Sequence, residues 1–359
     1  MQILNISLGG GGSLVKTLGR WVTKNRLLFK LFLSALTLSM LLFTGLKFYG
    51  QSVNYSETRL LFDSEVYVEV HGWAARQVTT EVLNSMSQLD DKLNAYSDAS
   101  EISRINMSAG LHPVEVSMAT FEIVKKAIAV ATLTDGAFDP TIGPIVQLWG
   151  ISADGSHKPK PSGKQINETL HLVDYQRVIL DEHTHSIFMT QAGMKLDLGA
   201  IAKGYAVEQG VKILRDKHIK SGLVSAGGNI YALGNKPNGE PWHIGIKNPH
   251  NNSNQLDYVE LHDTAIDSSG DYEQFYVEGD QKYTHIFDPH TGYPATSVSG
   301  TSVLTDSPSM ADALATAVFV LGVQSGLKII NNLPGTEGLI VSEDGDLYYS
   351  QGFEGRLKT

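Results

Sequence analysis

One helix-like stretch of the sequence carries a carboxylate and a hydroxyl in an otherwise apolar setting. In "SMADALATAVFVLG" (309–322), Asp312 is the single charged residue, and Thr316 follows one helical turn later on the same face. Their oxygens are hard donors of the kind that Mg²⁺ or Ca²⁺ prefers. The alternative is helix capping, with Ser309 as the N-cap and Asp312 at the acidic position of a capping box. Spacing alone favours the cap, although a capping carboxylate still has a second oxygen to offer.

A second stretch, "KLDLGAIAKGYAVEQG" (195–210), combines a strand end, a tight turn and a helix start. The pattern predicts an apolar strand that ends at Asp197, a turn at Gly199 and Ala200, and a helix whose first turn carries Lys203. Such a helix N-terminus with an added positive charge can bind phosphate. An ordinary connection between a strand and a helix is the simpler interpretation of this stretch taken alone.

Two adjacent glycines interrupt a pair of strand-like runs in "VSAGGNIYALG" (224–234). Gly227 and Gly228 permit a positive φ and a close approach of the backbone to a ligand, and Asn229 supplies a side-chain donor. A simple hairpin turn or bulge explains the pattern equally well.

A histidine stands at the end of a strand-like run in "THIFDPHTGYP" (284–294). His285 precedes a turn rich in Asp, Pro and Gly, where a modest shift in pKa would suit it to proton transfer near neutral pH. A purely structural histidine is the alternative. His290, inside the turn, is expected at the surface.

Two further segments could shape a pocket. "GAFDPTIGPIVQLWG" (136–150) is stiffened by two prolines, and Tyr96 lies in a loop from which it could stack on a planar ring. Taken together, the stretches indicate a hard metal ion, a phosphate-binding backbone, a planar ring and a proton acceptor. That combination is typical of a nucleotide cofactor that is cut or transferred at its phosphate.

The elements that must position these residues are clustered strands with a few long helices. Helices are predicted over 74–97, 119–136, 201–215 and 310–331, and a polar surface loop is predicted over 151–168. The remaining runs predict strands, of which the first is "SEVYVEVHG" at 64–72. This order favours an α+β fold rather than regular βαβ alternation. No break in composition divides the body, so we predict a linker at 51–63 and one large domain over 64–359.

The first fifty residues predict attachment to a membrane. They contain six Lys and Arg residues and no acidic residue, and the apolar run 31–46 follows the basic cluster. Sixteen residues are short for a span of about 20, but a snorkelling Lys30 can lengthen the segment. A basic front predicts a cytoplasmic N-terminus with the rest exported, and the absence of a small-residue cleavage site favours an uncleaved signal-anchor over a removed signal peptide. A buried helix of the main domain is the alternative.

Charge and cysteine content exclude several functional classes. Without those six basic residues, 22 Lys and Arg face 38 Asp and Glu, which gives the body a formal charge of −16. Such a body is a poor nucleic-acid binder, and an anionic ligand would need a local cation or a helix N-terminus. The chain has no cysteine, which excludes disulfides, thiolate metal sites and a lipid-modified N-terminal cysteine.

Six ordered motifs closely resemble the ApbE family, the FAD:protein FMN transferases, from about residue 61 to the C-terminus. They are "LNAYSDASEISRIN", "GAFDPTIGPIVQLWG", "DLGAIAKGYAVEQG", "SAGGNIYALG", "HIFDPHTGYP" and "ADALATAVFVLG". The resemblance implies a Mg²⁺-dependent enzyme that moves the FMN half of FAD to a Ser or Thr hydroxyl of a target protein and releases AMP. It also implies a respiratory or electron-transfer protein as target and, with the N-terminal segment, a place at the bacterial inner membrane facing the periplasm.

The resemblance also implies a role for each site residue. His285 would accept the proton of the acceptor hydroxyl, and the metal would be held by Asp312, Thr316 and the backbone of Ala200. The residues expected to contact FAD or line its pocket are Tyr96, Ala137, Phe138, Asp139, Asp197, Lys203, Gly227, Gly228, Asn229 and Ile286.

The chain departs from the family pattern at two places. The same site residues are also compatible with two other functions. The chain reads "LLFDSEVY" where an early Met-Gly-Thr motif is common, and Ala200 stands where relatives often have Gly, Ser or Thr. A backbone carbonyl ligand tolerates that alanine. With water as acceptor the same site would be an FAD pyrophosphatase, and without chemistry it would be an exported flavin carrier.

Overall fold

The computed structural model describes residues 26–152, 155–251, 255–279 and 281–358. By internal contacts the chain divides into two units, Met1–Val53 and Asn54–Thr359. In the first, helix α1 spans Arg26–Ser52, and the apolar side chains described along it are exposed, with Phe32 64% and Leu38 61% accessible. The residues before 26, which hold part of the predicted basic front, lie outside the described residues.

An eight-stranded antiparallel sheet forms the centre of the second unit. The strand order is β1-β2-β6-β7-β10-β13-β14-β15. The bounds are β1 Asn54–Leu61, β2 Ser64–His71, β6 Ser221–Ala226, β7 Asn229–Leu233, β10 Thr264–Gly270, β13 Val298–Thr305, β14 Glu337–Ser342 and β15 Leu347–Tyr349. Every residue of β13 is buried, so this strand lies deep between the layers.

The long helices that cover one face of this sheet do so because they present an apolar stripe at helical spacing. In α2 (Ala75–Leu93), Val78, Val82, Met86 and Leu89 are all buried against the sheet side. The other helices are α3 Glu101–Met107, α4 Met118–Leu133, α5 Gly143–Trp149, α6 Gly163–Leu170, α7 Ala202–Asp216 and α8 Pro308–Asn332. Helix α8 is long and apolar enough to cross a membrane, but half of that segment is buried in the domain, as expected of a core helix.

Smaller sheets complete the domain. A sheet of order β16-β9-β8 packs a second apolar cluster, which includes Trp242, Val259 and Phe353, against the side of the main sheet that carries Ile266. Its strands are β8 Trp242–Lys247, β9 Gln255–Leu261 and β16 Leu357–Lys358. The remaining strands form a sheet of β3 Val114–Glu115, β5 Ser186–Met189 and β4 Val178–Asp181, and a hairpin of β11 Phe275–Glu278 and β12 Gln281–Thr284.

The antiparallel sheet with helices segregated on one side confirms the predicted mixed α and β domain, and the long predicted helices are present. Two local predictions were wrong. Residues 54–61 of the predicted linker form edge strand β1, whose inward positions hold polar residues such as Glu57 and Arg59, paired at 2.8 Å. The expected strand before Asp197 is reduced to a single parallel bridge between Ile142 and Lys195.

Candidate active site

Helices α7 and α8 pack closely where Gly204 faces Pro308 and Asp312. The backbone N–H of Gly204 donates to Oδ2 of Asp312 at 2.8 Å, and a Cβ added at Gly204 would lie 2.7 Å from the Cβ of Asp312. Only glycine permits this approach. Asp312 therefore does not fill the capping-box position of its own helix; the N-cap is Ser307, whose hydroxyl accepts from the N–H of Met310.

A polar network fixes the start of α8 against α4 and α7. Glu208 of α7 accepts from the hydroxyls of Ser307 and Ser309, and its other oxygen pairs with Lys126 of α4 at 2.6 Å. These bonds outweigh the effect of burial and lower the pKa of Glu208. Ser309, predicted as the N-cap, thus holds two helices together, and the network keeps Asp312 at a fixed position.

Lys203, one residue before Gly204, lies over the turn between β6 and β7. A Cβ added at Gly227 would lie 3.4 Å from Cδ and Cε of Lys203, and Gly227 itself has φ +60°. Burial lowers the pKa of Lys203, but the nearby carboxylates, Asp312 first and then Asp267, outweigh it and raise the pKa above its ordinary value. The lysine is therefore a positive charge held among acidic groups.

The residue after the two glycines is a buried amide. Asn229 is 1% exposed, and its side chain lies beside Asp312, whose pKa it lowers as a hydrogen-bonding neighbour. Its Nδ2 and Oδ1 nevertheless make no hydrogen bond of good geometry to the described residues. Buried polar groups are almost always satisfied, so this orphaned amide indicates a ligand-binding position.

The donors around Asp312 fit a hard divalent cation. Thr316, one turn along α8, has its hydroxyl 3.4 Å from that of Ser269 on β10. Gly204 lies in the first turn of α7, where a backbone N–H has no partner within the helix, and its N–H donates to Asp312. A carboxylate, hydroxyls and a backbone carbonyl, such as that of Ala200 just before α7, are oxygen donors of the kind that Mg²⁺ binds. Among the described residues, no three His, Asp or Glu side chains converge as a metal cluster, so the fit rests on this mixed oxygen set.

His285 lies at the end of β12 with its ring fixed in one tautomer. Nδ1 is 3.1 Å from the carbonyl oxygen of Gln274, to which it can only donate, and this leaves Nε2 as an acceptor. Burial, aided by the positive charge of Lys203 and opposed by the Gln274 carbonyl, lowers the pKa of His285 to about 4. The imidazole is therefore neutral at pH 7 and able to accept a proton.

An aromatic ring marks the outer side of this cluster. The ring of Tyr96 is 68% exposed in its loop, whereas its hydroxyl is turned towards the protein and interacts with the Asp197 carboxylate. Burial and the Asp197 charge raise the pKa of Tyr96 far above its ordinary value, so it stays a neutral phenol. An exposed ring held by its hydroxyl is suited to stacking.

The segment 137–139 lies close to Asp197 in the fold, and its side chains are buried rather than exposed on a surface that could contact a ligand. The backbone N–H of Asp197 donates to the carbonyl of Pro140 at 2.8 Å. Ala137 and Phe138 are buried, and the carboxylate of Asp139 accepts from the backbone N–H groups of Thr141 and Tyr175 and from the Thr141 hydroxyl. The hydrogen bonds of the Asp139 carboxylate therefore stabilise the turn to which Asp139 belongs. Ile286, next to His285, is also buried in the core.

The geometry brings together most of the residues singled out from the sequence, and it adds two that were missed. Asp267 and Ser269 lie on β10, in a run that the sequence indicated only as the strand "TAIDSSG". The available signal was a lone Asp directly after the apolar residues Ala265 and Ile266 of a buried strand. The site as a whole is a glycine-lined cluster in which Lys203 stands among carboxylates, with hard oxygen donors and a neutral histidine nearby. This arrangement is typical of an enzyme that acts on a phosphate-bearing ligand.

Comparison with known proteins identifies the family. The ApbE family model matches residues 61–340. The FAD:protein FMN transferase of Treponema pallidum (strain Nichols) is 34% identical over 293 residues, covering 77% of this chain and 80% of the relative. That of Klebsiella pneumoniae (strain 342) is 32% identical over 299 residues, covering 82% and 92%.

Solved structures agree with this result. The ApbE protein of Thermotoga maritima MSB8 superposes with a TM-score of 0.78 at 32% identity, covering 86% of this chain and all of that one. The flavin transferase ApbE of Vibrio cholerae gives a TM-score of 0.76 at 28% identity, covering 85% and 99%. The chain belongs to the ApbE family. The resemblance seen in the sequence is confirmed, and with it the expectation of a transferase enzyme that takes flavin from FAD.

Proposed function

We propose that this protein transfers the FMN moiety of FAD to a Ser or Thr hydroxyl of a target protein and releases AMP. The observation that carries the proposal is the convergence of Lys203, Asp312 and Asn229 on the Gly227–Gly228 turn, within the electrostatic reach of a neutral His285. Lys203 supplies a positive charge for a pyrophosphate, and the histidine supplies a base for a hydroxyl.

The chain's own residues account for the main requirements of the reaction. The acceptor hydroxyl gives its proton to Nε2 of His285, and its oxygen forms a bond to the phosphorus on the FMN side as the bond to AMP breaks. Lys203 stabilises negative charge on the pyrophosphate by position alone. Tyr96 is placed to stack on a ring of the substrate.

Magnesium is the proposed metal, held by Asp312, Thr316 and the carbonyl of Ala200. When bound, such an ion neutralises charge on phosphoryl oxygens as a Lewis acid. Because the body of the chain carries a formal charge of −16 outside its first fifty residues, a cation makes binding of anionic FAD more favourable.

Incubation with FAD, Mg²⁺ and a flavin-accepting protein tests the proposal. We expect covalent flavin fluorescence in the acceptor's gel band and one AMP per flavin transferred, both abolished by EDTA. A respiratory or electron-transfer protein with an exposed Thr or Ser is the proposed class of acceptor. Free FMN and AMP without labelled acceptor would instead support the pyrophosphatase, and FAD binding without AMP would support a carrier. A flavin carrier would not explain the neutral His285, because binding flavin without chemistry requires no proton acceptor.

We further propose that α1 anchors the enzyme in the bacterial inner membrane, with the catalytic domain in the periplasm. A helix whose described apolar side chains are exposed along its length, such as Leu31 at 58% and Leu41 at 68%, is suited to a lipid environment.

Introducing charge into α1 tests this anchor. Leu38→Arg combined with Leu41→Arg should release the protein from membranes in carbonate extraction, since each arginine costs about 3 kcal/mol at a helix centre. Leu38→Ile with Leu41→Ile is the matched control and should stay in the pellet. Extraction of the wild-type chain by carbonate would contradict the anchor, and resistance of the domain to protease in spheroplasts would contradict the periplasmic placement.

A further inference from the structure

Asp267 is a buried carboxylate that the proposed reaction does not use. It is 2% exposed on β10, on the side of the sheet that faces α8. Gly228 lies against it: a Cβ added there would be 3.5 Å from Oδ1 of Asp267. Lys203 therefore lies against the first glycine of this turn, and Asp267 lies against the second.

The charges around this turn are not balanced by the side chains alone. Asp267 and Asp312 are two buried carboxylates, and both interact with the ammonium of Lys203, as does the carboxylate of Glu273. Burial and the charge of Asp312 raise the pKa of Asp267 well above its ordinary value, while Lys203 opposes this. When Asp267, Asp312 and Lys203 are all ionised, these three groups carry a net charge of −1, and Glu273 adds a further negative charge. Such an excess of negative charge is unfavourable in a buried site.

The orphaned amide of Asn229 is an independent sign of a ligand at this place. It follows Gly228 in the chain and begins β7 beside β10. It is 1% exposed and lies beside Asp312, but neither of its polar atoms makes a hydrogen bond of good geometry to the described residues. An amide oxygen, like a carboxylate, is a hard donor. A polar ligand between Asp312 and Asp267 would satisfy it.

We infer that Asp267 is a second carboxylate of the divalent-cation site, adding its charge to that of Asp312. This inference rests on the proposed function, because it concerns the metal proposed there. A divalent ion changes the net charge of Asp267, Asp312 and Lys203 together from −1 to +1, which suits a phosphate. Asp267 then has two consequences: it strengthens cation binding, and it repels phosphate when the cation is absent. The site would thus favour FAD that arrives with a divalent metal.

Manganese binding measured without FAD tests the inference. The full chain in detergent is titrated with Mn²⁺, and free Mn²⁺ is followed by its electron paramagnetic resonance signal. Asp267→Asn preserves shape and removes charge, and we expect it to weaken Mn²⁺ binding about tenfold or more, because a charge within several ångströms of a divalent ion interacts strongly at low dielectric. Asp306→Asn, on the exposed loop before α8, is the matched control and should bind Mn²⁺ like the wild type.

Two further measurements separate this role from a structural one. In EDTA, Asp267→Asn should melt at the same or a higher temperature than the wild type, because an uncompensated buried charge has been removed. In EDTA it should also bind FAD equally well or better. Weaker metal-free FAD binding with unchanged Mn²⁺ affinity would mean that Asp267 only positions Lys203, and would overturn the inference.

Asp312→Asn distinguishes the failure of this inference from the failure of the proposed function. If Asp312→Asn weakens Mn²⁺ binding and Asp267→Asn does not, the inference alone is wrong. If neither variant changes Mn²⁺ binding, or the wild type binds none, both the inference and the proposed metal site are wrong.

Discussion

Replacing Asp312 by Asn should lower Mg²⁺-dependent flavin transfer by about a thousandfold or more, while leaving the fold in place. The carboxylate is the one charged donor on α8 that faces Lys203, and it stands in the proposed metal site with Thr316. The Asn side chain keeps an oxygen for the N–H of Gly204, so the bond between α7 and α8 can persist at its present 2.8 Å. Transfer is measured as covalent fluorescence in the acceptor together with AMP release.

Asp312→Ala provides an informative comparison. It removes the same charge but leaves the buried N–H of Gly204 without its acceptor, which costs about 1–3 kcal/mol of stability. The two variants should therefore be equally inactive but melt at different temperatures, with Ala the less stable. Asp306→Asn, six residues earlier and exposed, should transfer flavin at the wild-type rate. Transfer by Asp312→Asn that is close to wild type, at subsaturating Mg²⁺, would contradict the metal assignment.

The order of the motifs was readable from the sequence because each depends on local backbone chemistry. The Gly227–Gly228 turn joins two paired strands, Ala226 opposite Asn229, as the doubled glycine predicted. His285 follows directly on a strand, as predicted from the run before it. Periodicity likewise placed α7 and α8 to within a few residues. These features are set within about ten residues of chain.

Contacts between distant segments could not be read in the same way. Local spacing offers two interpretations of Asp312, a cap and a metal ligand, but its actual hydrogen-bond donor is Gly204, 108 residues away. Ser309 was assigned to the cap and instead bonds Glu208, 101 residues away. Where the start of one helix packs against another helix, its polar groups can bond to side chains of that second helix. A single sequence does not show which distant segment will be the neighbour.

Edge strand β1 and Asp267 show the same limit in strands. The inward positions of β1 hold Tyr55, Glu57 and Arg59, so the alternation that marks a half-buried strand is concealed by polar residues that pair with each other. Asp267 sits in a run whose neighbours Ala265 and Ile266 predict an ordinary buried strand. Only the folded structure shows that the Asp267 side chain faces Asp312 and Lys203. The apolar cluster that contains Ile266 lies on the other side of the sheet.

Replacing His285 by Ala should lower flavin transfer by about a hundredfold to ten-thousandfold, with FAD affinity changed little. The reason is that Nδ1 is committed to the carbonyl of Gln274, so Nε2 is the atom free to take the acceptor's proton. FAD affinity is measured by quenching of flavin fluorescence in the presence of Ca²⁺ or Mg²⁺ without acceptor. His290→Ala is the matched control, because that histidine lies in the following turn, exposed, with Nε2 3.0 Å from the carbonyl of Asp135. Equal loss of transfer and of FAD binding in His285→Ala would indicate a structural histidine.

The pH dependence of His285 gives a readout that a structural role does not predict. Its pKa of about 4 lies below the ordinary value for histidine, so the ring loses its proton at a lower pH and is already neutral at pH 5.5. In the metal-free protein, the nuclear magnetic resonance signal that disappears in His285→Ala should therefore remain that of a neutral imidazole from pH 8 down to about 5.5. Because Lys203 contributes to lowering this pKa, Lys203→Met should move the midpoint upward. A midpoint near 6.5 in the wild type would place His285 in a solvated environment away from Lys203, and the base would then have to be sought elsewhere in the site.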